Sequence, residues 1–351
     1  MLLQFLPEKD IPLHVSLETF DAEKYPTWMI EAVKEAQKFE GATAPNPPVG
    51  ALGLNSRGEI LSVKAHEQAG KPHAEASVIA DCRSRGILSE LHTLVVTLEP
   101  CNHQGRTGPC TQAILETPIQ RVIYGAPDPN PKVAGGGADF LIQNGVEVHL
   151  IDSLEARRLI RSFSVWSKTG IPFVRVKTAI DTDGSMIPPA GQKTFTSASS
   201  LKFAHELRRT ADALITGSGT VLADDPQFTV RLVPDHLGKR RYLAVLDRRK
   251  RIPKAWVERQ ISLGFSMVYG ESLQSILEQL GKLGCLEVLV EAGPALSGYI
   301  LSSGMYHEHV VIKKGSQGRP RNPDDLDGPD DKDVIETREL EAPCLPELFK
   351  T

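Results

Sequence analysis

No apolar run in this chain of 351 residues approaches the roughly 20 residues that a membrane-spanning helix needs. The opening MLLQFLPEKD is apolar, but it lacks a basic flank and is interrupted by Pro7 and the charged residues after it, so it is not read as a signal peptide. Cysteine is scarce. The five are Cys82, Cys101, Cys110, Cys285 and Cys344, an odd number that argues against a disulfide framework and for a reducing compartment. A basic surplus is absent as well: a net charge of −4 and a pI near 6.2 leave no overall footprint for nucleic acid. No internal repeat makes one half a copy of the other. What remains is a cytoplasmic protein with neither a membrane nor a nucleic-acid partner. Its 40% apolar and 24% charged residues are ordinary for a globular chain, and its length allows two domains with substantial cores.

The chain is organised around the stretch from His73 to Cys110, which reads HAEASVIADC, then TLVVTLEP, then CNHQGRTGPC. His73, Cys101 and Cys110 offer one imidazole and two thiolates. That is a ligand set a catalytic zinc takes, with a fourth position left for water. Glu75 stands two residues after His73, placed to move a proton to or from that water. The motif H-x-E followed by Pro-Cys is the signature of zinc-dependent deamination of an amino-substituted base. Here eight residues separate the two cysteines instead of two. A structural zinc would close with a fourth protein ligand, for which His66 and His103 are the nearby candidates, but such a site gives Glu75 no role.

The long spacer PCNHQGRTGPC is accompanied by APNPPVG at 44–50, AHEQAGKPHAE at 65–75 and DPNPKVAGGG at 128–137. With these pieces in this order, residues 28–150 resemble the bifunctional deaminase–reductases of riboflavin biosynthesis. The resemblance implies one zinc per chain on His73, Cys101 and Cys110, with Glu75 as proton carrier. It places Asn46, by itself an ordinary Asn-Pro turn, where the pyrimidine is held. It puts His66, His103 and Arg106 near the ring or its ribose phosphate. A cation in the enlarged loop suits a phosphorylated nucleotide-like substrate better than a free base, because arginine grips phosphate bidentately. A homo-oligomer is also expected.

Read in order, residues 1–26 form an extension ending at Tyr25-Pro26, and helical spacing begins at Trp28. VGALGLNSRGEILSVKA predicts a hairpin around Asn55–Gly58. A helix is expected from about His73, a buried strand in LHTLVVTLE, a helix from Thr111, and strands in RVIYGAPD and VEVHLID around a helix at 138–143. Alternating strands and helices imply an α/β/α sandwich of the cytidine-deaminase type over 27–150. Residues 151–170 read as one linking helix, and 171–351 as a second α/β domain.

In that second domain VRVKTAIDTDGSM, LRRTADALITGSGTVLADDPQFTVR and LVEAGPALSGYIL resemble the family's dihydrofolate-reductase-like half, which uses NADPH. The resemblance implies that Lys177, Arg208, Phe228, Arg231 and Glu291 hold substrate. It gives the cofactor Ala179, Thr194, Thr220, Asp224 and the segment Gly293, Pro294, Ala295, Leu296, Ser297, Gly298 and Tyr299. Gly217-Ser218-Gly219-Thr220 is not a dinucleotide fingerprint, since the third glycine is missing. The basic run RRKRIPK at 248–254 is either a site for the 2′-phosphate of NADPH or a solvated loop. Three departures stand out: Thr194-Phe195-Thr196 replaces a Trp-containing triplet, Glu291-Ala292-Gly293 replaces Glu-Gly-Gly, and the strands past Lys314 are hard to trace before an acidic loop at 315–333. Two further readings therefore stand beside the bifunctional enzyme. One is a deaminase with an altered, reductase-like binding module; the other is a nucleic-acid-editing deaminase, disfavoured by charge and by the long loop.

Overall fold

Gly50 fixes how the first sheet is covered: a Cβ there would come within 1.9 Å of the Ala32 carbonyl oxygen of an overlying helix. Three residues on, on the opposite face, Gly53 lies against Val78 and Leu91. The strand GALGL is thus buried from both sides, as a central strand between helical layers must be. The computed structural model describes residues 24–103, 108–130, 136–189, 191, 194–315 and 333–340. Arg106, most of the N-terminal extension and the acidic loop at 316–332 lie outside the described residues.

The first domain runs α1 (Tyr25–Gln37), β1 (Gly50–Leu54), β2 (Ile60–Ala65), α2 (Ala74–Ser84), β3 (Thr93–Val96), α3 (Cys110–Leu115), β4 (Arg121–Tyr124), α4 (Gly136–Gln143), β5 (Glu147–Leu150) and α5 (Leu154–Leu159). Its sheet order is β2-β1-β3-β4-β5. The β1–β2 hairpin and the β1–β3 pair are antiparallel, and β3, β4 and β5 are parallel. Helices α1 and α5 pack together, as do α2 and α3. Helix α1 begins upstream of Trp28 because Pro26 occupies its first turn, where a missing N–H costs nothing.

The linking segment is two helices, not one. Ser153 caps α5, its Oγ accepting from the Ala156 N–H at 3.2 Å. At Ile160 the backbone leaves helical geometry (ψ 9°), and α6 (Arg161–Thr169) restarts there and ends on Gly170 at φ 73°.

The second domain contains β6 (Phe173–Ile180), α7 (Ala198–Thr210), β7 (Ala213–Gly217), α8 (Ser218–Asp224), β8 (Arg241–Leu246), α9 (Lys254–Ser262), β9 (Phe265–Val268), α10 (Leu273–Lys282), β10 (Glu287–Glu291), α11 (Pro294–Ser302), β11 (Glu308–Lys313) and β12 (Val334–Glu339). The sheet order is β12-β11-β6-β10-β7-β8-β9, parallel except for edge strand β12. Alternation divides each central strand between two cores. Val288 and Val290 of β10 join Leu277 and Ile300 on one face, while Leu289 joins Leu207 and Trp256 on the other.

The first domain docks at the N-terminal ends of these strands. Arg209 donates to the Lys38 carbonyl at 3.4 Å and the His236 ring meets the Glu40 carbonyl at 2.8 Å. The C-terminal ends are left for ligand, as is usual in open parallel sheets.

Candidate active sites

Two helix N-termini converge on the first site. His73 is the extended residue before α2 and Cys110 opens α3, so the positive ends of both helices favour thiolates there. His73 Nδ1 lies 3.3 Å from Cys110 Sγ and 3.6 Å from Cys101 Sγ. All three ligand atoms fall within 4.8 Å of one another. Tetrahedral zinc, with bonds of about 2.0–2.3 Å, separates its donors by roughly 3.3–3.8 Å. The donor set fits zinc.

A fourth protein ligand is not supplied by His66. Its Nδ1 faces the Pro72 carbonyl at 3.0 Å and its Nε2 faces Asn46 Nδ2 at 3.1 Å. The first contact makes Nδ1 the donor, so Nε2 accepts from Asn46, whose Oδ1 remains an acceptor for a ligand. Burial lowers the His66 pKa and keeps the ring neutral for this role. Glu75, only 4% exposed, sits in the first turn of α2, and burial pushes its carboxyl above the usual range. Between the cysteines the proton is unevenly shared. A hydrogen bond from the Cys110 thiol, working against burial, draws Cys101 down to about 4 with help from His73. That same bond, with burial, pushes Cys110 up.

His66, His73, Glu75 and Cys101 line a cavity of about 230 Å³ together with Pro45, Asn46, His103, Asp128, Asn130, Phe163 and Trp166, and Cys110 lies behind them, buried. The loop carrying Cys101 is held by neighbours that spacing did not reveal. Glu99 Oε1 accepts from the N–H groups of Gly137 and Ala138 at 3.2 and 3.1 Å, and its Oε2 accepts from Asp128 N–H at 3.2 Å. Asn102 Oδ1 accepts from Thr111 at 2.7 Å, and its amide donates to the Gly136 carbonyl at 3.2 Å. A Cβ at Gly137 would come within 1.8 Å of the Pro100 carbonyl oxygen, so that glycine is required by close approach.

The second site has two parts. In one, Arg208 donates to both carboxylate oxygens of Glu291, at 2.5 and 2.9 Å, with Lys177 Nζ 3.4 Å from the same carboxylate. Burial opposes ionisation of Glu291, but Arg208 and Lys177 outweigh it and hold the pKa at about 2. Phe228 is buried with φ at 59°, a conformation uncommon for a bulky side chain, and the Arg208 guanidinium lies 6.0 Å from its ring centre. Arg231 is exposed, its backbone N–H donating to His205 Nδ1 at 2.8 Å. Burial, then Arg208 and Arg231, lower His205 to about 4, so it accepts as a neutral ring.

The other part is a cavity of about 620 Å³ lined by Thr220, Asp224, Gly293, Pro294, Ala295, Leu296 and Tyr299, by Gly217–Gly219, and by Arg248, Arg249 and Arg251. Gly217-Ser218-Gly219-Thr220 runs from the end of β7 into a helix: Gly217 precedes α8, and Thr220 Oγ1 accepts from the Gly293 N–H at 2.9 Å. Four expected cofactor residues do not line this cavity. The segment after Gly293 is a helix, so Ser297 turns inward, 1% exposed, and donates to the Ala292 carbonyl. Gly298 is exposed on the same helix, Ala179 lies on β6, and Thr194 is exposed with its hydroxyl 2.8 Å from that of Thr196.

Family models match both halves. Residues 22–126 match the cytidine and deoxycytidylate deaminase zinc-binding region, and residues 172–313 match the RibD C-terminal domain. Riboflavin biosynthesis protein RibD of Aquifex aeolicus is 35% identical over 309 residues, covering 81% of this chain and 85% of the relative. This chain belongs to the RibD family. The RibD of Escherichia coli is 33% identical over 318 residues, covering 81% and 86%. The solved Thermotoga maritima diaminohydroxyphosphoribosylaminopyrimidine deaminase/5-amino-6-(5-phosphoribosylamino)uracil reductase superposes with a TM-score of 0.75 at 28% identity, covering 91% of this chain and 99% of that one. As a RibD the chain is a bifunctional enzyme of riboflavin biosynthesis, with a zinc-dependent deaminase half and an NADPH-dependent reductase half. No helix among the described residues is long and apolar enough to cross a membrane.

Proposed function

We propose that the first site hydrolyses the amino group of 2,5-diamino-6-hydroxy-4-(5-phosphoribosylamino)pyrimidine, and that the second reduces the ribosyl chain of the product to ribityl. The observation that supports the first step most directly is the His73–Cys101–Cys110 donor set, with buried Glu75 lining the same cavity as His73 and Cys101. His73, Cys101 and Cys110 would hold zinc, which would supply a water acidified to a pKa of about 7. Glu75 takes up the proton released as water adds to the carbon bearing the amino group, passes it to the ring nitrogen, and then assists departure of ammonia. Its raised pKa suits a group that must hold and then release that proton. Asn46, fixed by His66, orients the ring, and His103 and Arg106 are assigned to the ring or phosphoribosyl end.

In the second site NADPH supplies hydride. The cavity around Thr220, Asp224 and Gly293–Leu296 would hold it, and the arginines at 248, 249 and 251 in the same lining support a role toward its 2′-phosphate. Lys177 and Glu291 orient the sugar, and Arg208 and Arg231 take its phosphate. Ala292, which replaces the family glycine, packs against the core and does not fill the cavity. The free thiols of Cys82 and Cys285 agree with a cytoplasmic setting. The test is to supply the deaminated intermediate with NADPH, and separately the diamino substrate alone. Loss of NADPH absorbance in the first and release of ammonia in the second are expected. If the intermediate leaves NADPH unconsumed, the reductase assignment is wrong.

A further inference from the structure

The first cavity is finished by residues outside the sandwich that carries its chemistry. Phe163 and Trp166 come from α6, beyond the break at Ile160, yet both line the cavity that contains His73, Glu75 and Cys101. Apart from histidines, they are the aromatic side chains among its lining residues. Phe163 is 8% exposed, Trp166 is partly exposed, and their ring centres are 6.1 Å apart. The other walls are polar groups, prolines and aliphatic side chains. A flat heteroaromatic substrate buried here meets extended π-surface on this side.

The second domain sets where that surface stands. Trp166 Nε1 donates to the Gly281 carbonyl, at the end of α10, at 2.9 Å. The approach is close: a Cβ on Gly281 would come within 1.8 Å of the carbonyl oxygen of Gly170, the residue that ends α6. Only glycine lets α10 carry the tryptophan at this distance.

We infer that Phe163 and Trp166 are the substrate-holding wall of the deaminase site, and that the reductase domain fixes this wall through Gly281. The inference rests on the deaminase assignment above and adds the groups that grip the aminopyrimidine. Stacking on one aromatic side chain is worth roughly tenfold or more in affinity. Trp166→Ala and Phe163→Ala should each raise the KM for the diamino substrate about tenfold, with kcat within about threefold because neither ring carries a proton. Trp166→Phe, which keeps a ring, should recover most of that loss. Gly281→Ala, a change in the second domain alone, should raise the deaminase KM as well. Zinc content and NADPH-dependent reduction of the deaminated intermediate report whether each variant is folded.

A second measurement needs no change in the wall. Of the three tryptophans, Trp28 and Trp256 are 6% and 3% exposed, so acrylamide quenching reads mainly Trp166. In Glu75→Gln, whose slowed turnover preserves the bound substrate, saturating diamino substrate should protect that fluorescence. Unchanged quenching, or a wild-type KM in zinc-replete Trp166→Ala, overturns the proposal. If wild-type protein releases no ammonia from this substrate, it is the function itself that fails.

Discussion

Glu75 and Cys101 sit in one cavity but fail differently when altered. Glu75 is buried beside the donor set and outside it, so Glu75→Gln should keep zinc and fold while deamination falls about 10²-fold or more. Cys101→Ser should lose zinc and deamination together, with reductase turnover intact. Metal analysis beside both assays checks the pair, and zinc loss in Glu75→Gln would remove that residue from proton transfer. At this scale the chemistry was readable because its residues cluster in short local motifs, H-x-E and Pro-Cys. What the motifs could not show was that both ring nitrogens of His66 are already engaged, which settles its exclusion as a metal ligand. Phe163 and Trp166 were equally hidden. At helical spacing an aromatic pair reads as core, and only tertiary packing brings it to the cavity.

Among the elements, the loop after β8 carries a prediction that sequence left balanced. Arg248, Arg249 and Arg251 line the same cavity as Thr220 and Gly293, and Arg251 also donates to Ser218 at 2.9 Å. Hydrogen bonds to a charged group contribute about 1.5–3 kcal/mol. Arg249→Ala should therefore raise the KM for NADPH about tenfold while leaving that for NADH nearly unchanged. Steady-state reduction with each nucleotide checks it, and an equal rise for both would return the arginines to a solvated loop. The strands of the second sheet were legible as continuous apolar runs because both of its faces are covered. Helices α8 and α11 were not, because each opens with Gly or Pro close to a strand end, a pattern shared with turns. Strand β12 has an exposed, polar edge pattern that offers no apolar alternation to read.

Across the whole molecule, the docking of the two domains concentrates charge. Arg175 lies between Glu287 and Glu308, to both of which it donates. Arg161 reaches Glu308 at 2.9 Å, and Ser162 donates to Glu287 at 2.9 Å. Glu40, in the turn after α1, enters this cluster. Burial first, and then the Glu287 carboxylate, push its pKa from 4.5 to about 7 against the pull of Arg175, Arg161 and Arg209. The folded protein therefore holds a proton that the unfolded chain has released, and the sign follows from linkage. This group's contribution is fully present below about 4.5 and is lost as pH rises through about 7. Glu40→Gln keeps a neutral group there at every pH. Its melting temperature should match wild type at acid pH and exceed it by a margin that widens between about pH 4.5 and 7 and then levels off. His205 and His307, both lowered to about 4 by burial, tilt stability the opposite way, but they are common to both proteins and cancel in the difference. Paired thermal melts across that range decide it. A pH-independent difference would mean that Glu40 acts by packing alone, and a variant that melts below wild type at neutral pH would mean that its carboxylate is stabilised by the arginines.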